Sequence, residues 1–175
     1  PRFHIGESLL PMNLPILQRL GALEKVAAVG TYKAGADFPR DDGTGYNSFD
    51  FTRAFQVKFP HAYQVPRAEF DRVLFEHARE QGVDAREQVE VERIEFDRDH
   101  RPVVRARDLR HDGGGARTFR PRYLVDASGR DALLGGQMKL KRNNRRHQSA
   151  AVFSHFSGVA RRPGRDAGNV SIYRH

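Results

Sequence analysis

Cysteine is absent from this chain. Disulfides and thiolate metal sites are therefore excluded, and the compartment is left open, with the cytoplasm as the default expectation. Long hydrophobic runs are missing too. No stretch approaches the about 20 apolar residues that a helix needs to cross a bilayer, and the first residues show no signal-peptide pattern. The eight histidines are scattered. None pairs with another histidine or an acid at the spacing of a zinc-binding helix, so no metal site is expected. No Gly-x-Ser-x-Gly elbow supports serine hydrolase chemistry. The glycine run inside 112–115 is followed by neither a helical pattern nor a Lys-Ser/Thr pair. It reads as a hairpin turn and not as a phosphate loop.

The 175 residues, 38% hydrophobic and 30% charged, suffice for a soluble domain with its own core. The net charge of +8 raises the question of nucleic acid. The arginines, however, are spread through every segment and interleaved with Asp and Glu. The densest run, KLKRNNRR at 139–146, lacks the aromatic residues of a single-strand stacking platform. No nucleic-acid partner and no membrane partner are expected. A basic nucleic-acid-binding module without catalysis stays as a second alternative, and steep salt dependence of affinity would be its signature.

Along the chain, HIGESLL at 4–10 is a Gly-centred turn. Leucines at helical spacing make 13–20 a short amphipathic helix, with Gly21 as its C-terminal cap. Residues 31–38 and 48–59 read as strands, joined by a Gly/Asp-rich loop. The clearest helix comes after Pro66: Phe70, Val73, Leu74, His77 and Ala78 form its apolar face, and Gly82 ends it. A short strand at 83–86 comes next. Residues 89–96, 103–109 and 116–119 form a three-stranded meander. The stretch RYLVDASGR at 122–130 is the organising element of the chain. Tyr123, Leu124 and Val125 read as a doubly covered strand of an α/β sheet, and Asp126, Ala127, Ser128 and Gly129 make a turn of small residues where a ligand or another backbone could come close. An ordinary strand-to-helix turn uses the same residues. A helical turn at 132–136 and a strand at 150–156 complete the pattern. Both ends look cut: Pro1 is no initiator methionine, and 170–173 reads as a strand beginning without a partner. A longer parent protein is expected.

This order of elements, together with HIGESLLP at 4–11, TYKAGADF at 31–38, YQVPRAEFD at 63–71 and DASGR at 126–130, resembles the flavin-dependent halogenases. That group lies within the FAD-dependent monooxygenase and reductase superfamily, related in fold to para-hydroxybenzoate hydroxylase. The resemblance implies an α/β (α+β) fold: a partial FAD/NAD(P)-binding Rossmann-like domain over 1–30 and 62–147, with an antiparallel three-stranded meander, and the beginning of a substrate-binding sheet domain over 31–61 and 148–175. It implies FAD contacts from Gly6, Glu7 and Ser8, from Arg67, from Val89 beside the adenine, and from Asp126, Ala127, Ser128, Gly129 and Arg130 near the ribityl and pyrophosphate. Carboxylate suits ribityl hydroxyls, and guanidinium suits phosphate oxygens.

Lys33 is the implied catalytic residue. In the family, reduced FAD supplied by a separate flavin reductase, oxygen and a halide ion yield hypohalous acid, which the lysine holds and presents to a small-molecule or carrier-bound aromatic substrate. Burial lowers a lysine's pKa and frees a nucleophilic amine. The residues by themselves also allow a strand lysine whose stem covers apolar surface while its amine reaches water, and an Arg67 that pairs with Glu69 or Asp71. A non-halogenating monooxygenase or polyprenyl-type reductase of the same fold is the first alternative. The resemblance places a Gly-x-Gly-x-x-Gly fingerprint ahead of Pro1 and a Trp-x-Trp-x-Ile-Pro motif beyond His175. Neither occurs within the 175 residues, which contain no tryptophan, so this stretch alone is expected not to bind FAD.

Overall fold

A computed structural model describes residues 5–55, 58–110, 114–142, 144, 146 and 150–173. The chain forms two compact units, one of Pro1–Ala85 with His155–His175 and one of Arg86–Ser154. The architecture is mixed helix and strand with small sheets, in the α/β class expected.

In the first unit a 3-10 turn, Pro11–Asn13, leads into α1, Leu14–Leu20. The Asn13 side chain accepts from the Leu10 amide at 2.8 Å, and Pro15 sits in the first turn of α1, where its missing N–H costs nothing. Gly21 takes φ +73°. Its amide bonds back to Gln18, and that of Ala22 to Leu17, closing the helix with a left-handed cap. Helix α2, Leu23–Val29, comes directly after. Helix α3, Arg67–Glu80, is the expected long helix, and Gly82 behind it is left-handed at φ +86°. Leu17, Ala22, Val26 and Val65 form the core, with Phe70, Val73 and Leu74 of α3 packed on it. Beside this lies a second cluster of Leu14, Phe51 and Ala62.

The strand expected over 31–38 is two strands. β1, Thr31–Lys33, pairs antiparallel with β4, Ala62–Gln64. β2, Gly35–Pro39, pairs antiparallel with β3, Tyr46–Asp50. The break falls at Ala34, whose carbonyl accepts from the Phe51 amide at 3.0 Å and so belongs to neither ladder. Gly35 is required there: a Cβ would collide with the Phe49 carbonyl. The second strand also stops earlier than expected. Asp50 Oδ1 accepts from the amide and the hydroxyl of Thr52, both at 2.8 Å, and this side-chain cap turns the chain into a 3-10 turn at Phe51–Arg53. Gln56 and Val57 of that expected strand lie outside the described residues. At the other end, β8, Val170–Ser171, does have a partner. It runs parallel to β2 with Ala36 opposite Val170, giving the sheet order β3-β2-β8.

Residues 83–86 form no strand. The Val83 amide bonds to the Ala78 carbonyl and the Ala85 amide to the Val83 carbonyl, so local bonds replace a ladder.

The second unit carries the meander as expected: β5, Val89–Phe96, β6, Pro102–Asp108, and β7, Gly115–Phe119, in sequential antiparallel order. Val103, Val104 and Ala106 of the central strand are buried. Asp108, 1% exposed, accepts from Arg110 of the turn and Arg117 of β7. The turn residues 111–113 lie outside the described residues. The strands expected at 122–125 and 150–156 are absent. Tyr123, Val125 and Val152 are 89%, 85% and 99% exposed, and no strand among the described residues lies beside either stretch to supply a ladder. The expected helical turn at 132–136 is α4, Leu133–Gln137.

Candidate functional site

The candidate site in the first unit begins with the segment 5–9, which runs along the free edge of β4. Ser8 bridges antiparallel to Gln64. On either side the Val65 amide donates to the Glu7 carbonyl at 2.7 Å and the Leu9 amide to the Tyr63 carbonyl at 2.9 Å. β4 thus has β1 on one edge and residues 7–9 on the other. The Leu9 side chain packs into both core clusters, which fixes the register of the segment. Gly6 takes φ +109°, and a Cβ there would sit 3.3 Å from Arg67 Nη1. A side chain there would crowd the guanidinium, and the positive φ itself favours glycine.

Lys33, at the end of β1, is 2% exposed. Its Nζ donates to Ser8 Oγ at 2.7 Å and to the Leu9 carbonyl at 3.0 Å, and lies 5.4 Å from the centroid of the Phe51 ring. None of these partners is a carboxylate. Burial lowers the amine's pKa from the ordinary lysine value. The alternative of an amine reaching water does not describe this side chain.

Arg67, first residue of α3, makes the pairing with Asp71 that its neighbours in sequence allowed. Its Nε and Nη2 donate to Asp71 at 3.1 and 3.2 Å, and its Nη1 donates to the Ile5 carbonyl at 3.1 Å. Each Nη keeps one further N–H.

The remaining sequence-predicted residues lie in the second unit. Val89 opens β5, opposite Asp108. Asp126 Oδ1 accepts from the Ser128 amide at 3.0 Å and its hydroxyl at 2.5 Å, while Oδ2 accepts from the Leu134 amide at 2.8 Å. The Ser128 hydroxyl bond, ahead of the two backbone amides, holds the Asp126 carboxyl below the usual range. Ser128 Oγ accepts from the Leu133 amide at 3.0 Å, so Asp126 and Ser128 together tie off the start of α4. Ala127 and Arg130 are exposed between these contacts, and the Arg130 carbonyl accepts from Lys141. Gly129 has φ +65°, and nothing lies within 4 Å of where its Cβ would be. The structure therefore brings Gly6, Glu7, Ser8, Lys33 and Arg67 together in one unit and keeps 126–130 as a compact turn in the other. Taken unit by unit, Arg67 beside Gly6 in the first and the exposed Arg130 beside Gly129 in the second each present guanidinium N–H groups of the kind that donate to phosphate oxygens, which fits the chemistry of a flavin dinucleotide.

Sequence reasoning missed a second polar centre. Asp37 of β2, 1% exposed, accepts through Oδ1 from Ser48 Oγ at 2.7 Å, Arg162 Nη1 at 2.8 Å and Asn169 Nδ2 at 3.3 Å. Its Oδ2 meets no donor among the described residues. Arg162 also pairs with Asp166 at 3.0 Å and covers the Tyr46 ring. A cleft of about 650 Å³ opens here, lined among others by Thr31, Gln64, Arg162 and Tyr173. The 3-10 turn Gly164–Gly168 closes one side. Gly168 lies so close to β1 that a Cβ would strike the Tyr32 carbonyl. Arg162 and Asn169 stand more than 100 residues beyond Asp37 in sequence, and no local pattern announces them. Phe51 beneath Lys33 was likewise read only as a strand residue. Among the described residues no group of His, Asp or Glu is arranged to hold a metal, and no helix is long and apolar enough to cross a membrane.

The family model described as FAD binding domain matches residues 6–167. The flavin-dependent halogenase armH3 of Armillaria mellea is 35% identical over 167 residues, which cover 92% of this chain and 32% of that protein. Among solved structures, a flavoprotein/dehydrogenase from Cytophaga hutchinsonii superposes with TM-score 0.74 at 34% identity, over 82% of this chain and 35% of the other. The myxobacterial chondrochloren halogenase CndH, a variant of the FAD-dependent halogenases, superposes with TM-score 0.64 at 36% identity, over 75% and 30%. The chain spans about a third of the length of the curated relatives it matches.

Proposed function

We propose that this chain, which belongs to the FAD-binding domain family, serves a flavin-dependent halogenase that acts on an electron-rich small-molecule or carrier-bound substrate. The observation that carries this reading is the Lys33 amine: buried, held by a hydroxyl and a carbonyl, and without a carboxylate partner among the described residues. Taking an ammonium out of water costs several kcal/mol (on the order of 5) unless a counter-ion repays it. Here neutral partners leave the balance tilted toward the free amine, which is the form that reacts. FAD, reduced by a separate flavin reductase, would supply with oxygen the oxidation of halide to hypohalous acid. Lys33 would receive that acid, by hydrogen bond or as an N-halo amine with loss of water, and hold the electrophilic halogen for transfer to the substrate. Arg67 of the first unit and Arg130 of the second would meet phosphate oxygens. Asp126 and Ser128 would keep their turn in shape against the ribityl chain, Val89 would lie by the adenine, and Gly6, Glu7, Ser8, Ala127 and Gly129 would give backbone access. We assign 31–61 and 148–175 to a substrate domain, a grouping supported by the sheet β3-β2-β8, which joins parts of both stretches, and 1–30 with 62–147 to the cofactor domain, although β1 pairs with β4 across that division.

The test is Lys33→Ala in the full-length protein. Halide-dependent product is lost while flavin binding persists. Halide-independent hydroxylation by the wild-type protein would refute the reading. The similarity to a flavoprotein/dehydrogenase favours a second reading, a non-halogenating FAD oxidoreductase of the same fold. NAD(P)H oxidation without an added reductase would mark that case.

A further inference from the structure

We propose that Ser8 is a positioning residue for Lys33 and that its hydroxyl relays the proton the buried amine must lose before it can act as a nucleophile. The inference deepens the halogenase reading and rests on it. An ammonium at Nζ has three N–H groups to donate. Two partners accept from it, Ser8 Oγ at 2.7 Å and the Leu9 carbonyl at 3.0 Å, and the centroid of the Phe51 ring lies 5.4 Å from the nitrogen. A backbone carbonyl accepts a hydrogen bond but is far too weak a base to take the proton away, and the ring face takes none. A hydroxyl both accepts and donates, so it alone among these partners can pass a proton on.

Position supports the same role. Lys33 is 2% exposed, whereas Ser8 is exposed, so the hydroxyl spans from the buried nitrogen to solvent. The backbone holds it there: Ser8 bridges Gln64, with the Glu7 and Leu9 backbones bonded to Val65 and Tyr63 on either side. In the relay an Nζ–H bond breaks and its proton goes to Ser8 Oγ, as the proton already on that hydroxyl leaves to water or a buffer base. The amine keeps the electron pair, and serine ends as a neutral hydroxyl.

The test compares Ser8→Thr and Ser8→Val in the full-length protein. The two variants have nearly the same shape and both suit a strand, but only threonine keeps the hydroxyl. The first readout is solvent exchange of the Lys33 Nζ hydrogens, followed by NMR on protein labelled with 15N-lysine, and it needs neither flavin nor halide. Exchange in Ser8→Thr stays near wild type, and in Ser8→Val it slows by at least about tenfold. Equal or faster exchange in Ser8→Val overturns the relay. If Ser8→Val does not fold, Ser8→Ala takes its place with the same expectation. The second readout is halide-dependent turnover, which falls in Ser8→Val and is recovered in Ser8→Thr. Slowed exchange in a protein that makes no halide-dependent product keeps the relay and removes the halogenase reading. Halogenation with unchanged exchange does the reverse.

Discussion

Replacing Lys33 with methionine should stabilise the protein at neutral pH, and the gain should vanish in alkali. The variant keeps the length and apolar stem of the side chain and removes the amine. Two hydrogen bonds go with it, to Ser8 Oγ and the Leu9 carbonyl. Ser8 is exposed and rehydrates, so the loss is chiefly one carbonyl contact, about 1 kcal/mol. Against this stands the cost of keeping a lysine 2% exposed with no counter-ion among the described residues, where exchanging a buried ionic group for an apolar one of like volume stabilises by about 1–4 kcal/mol. The net expectation is about +1 to +2 kcal/mol, which raises Tm by roughly 2–8 °C for a protein of this size or somewhat larger. The sign with pH comes from linkage. Burial lowers the folded-state pKa of Lys33, so below the unfolded value near 10.4 the unfolded chain binds the proton more readily, and that penalty on folding is fully present below the folded pKa. Above about pH 10.4 the amine is neutral in both states and the penalty is gone. Paired thermal melts of wild type and Lys33→Met at pH 7, 9 and 10.5 measure it. A methionine variant that is less stable at pH 7, or a Tm difference that does not shrink with rising pH, would show that the ammonium is well compensated and that the carboxylate-free burial of Lys33 has been misjudged.

Arg162→Ala strips the buried Asp37 of its cation and leaves Ser48 and Asn169 as its side-chain partners among the described residues. Breaking such a buried contact costs about 3 kcal/mol, and limited proteolysis should cut faster within 159–173. Gly168→Ala drives a methyl group into the Tyr32 carbonyl, and Gly35→Ala does the same at Phe49. Both should lower Tm, while Gly43→Ala, with open space around its Cβ position, should cost little beyond its left-handed φ. Asp108→Asn loosens the β6–β7 hairpin, read as faster amide exchange at Val104–Asp108. The Arg110 and Arg117 bonds hold the Asp108 carboxyl below the usual carboxylate range, Arg110 contributing most. Its contribution is therefore present above about pH 4 and lost as the pH falls further, and the difference between variant and wild type narrows in acid.

What could be read from sequence divides by the range of the interactions that decide each element. Helix α3 carried its own instructions: a proline before it, an acid in its first turn, an apolar face at helical spacing and a left-handed glycine behind it. The meander was equally self-contained, since each strand pairs with the next one along. The failures lie where a neighbour distant in sequence, or its absence, decides. Tyr123, Leu124 and Val125 have the composition of a buried strand, yet a strand is defined by its ladder and none of the described strands offers one. The strand over 31–38 breaks because Lys33 and Gly35 answer to different partners, Ala62 and Asp50, and a hydrophobic pattern has no mark for a change of sheet. The candidate site divides in the same way. The Gly-Glu-Ser, Lys, Arg and Asp-Ala-Ser-Gly-Arg stretches could be picked out as short words, but their meaning depended on contacts the words do not contain. Lys33 is shut away from water because Ser8, Leu9 and Phe51 close over it from separate places in the chain. Asp37 is shut away by an arginine 125 residues downstream. For a buried charge, residue identity suggests the chemistry, and only the enclosing contacts decide which protonation state the group will hold.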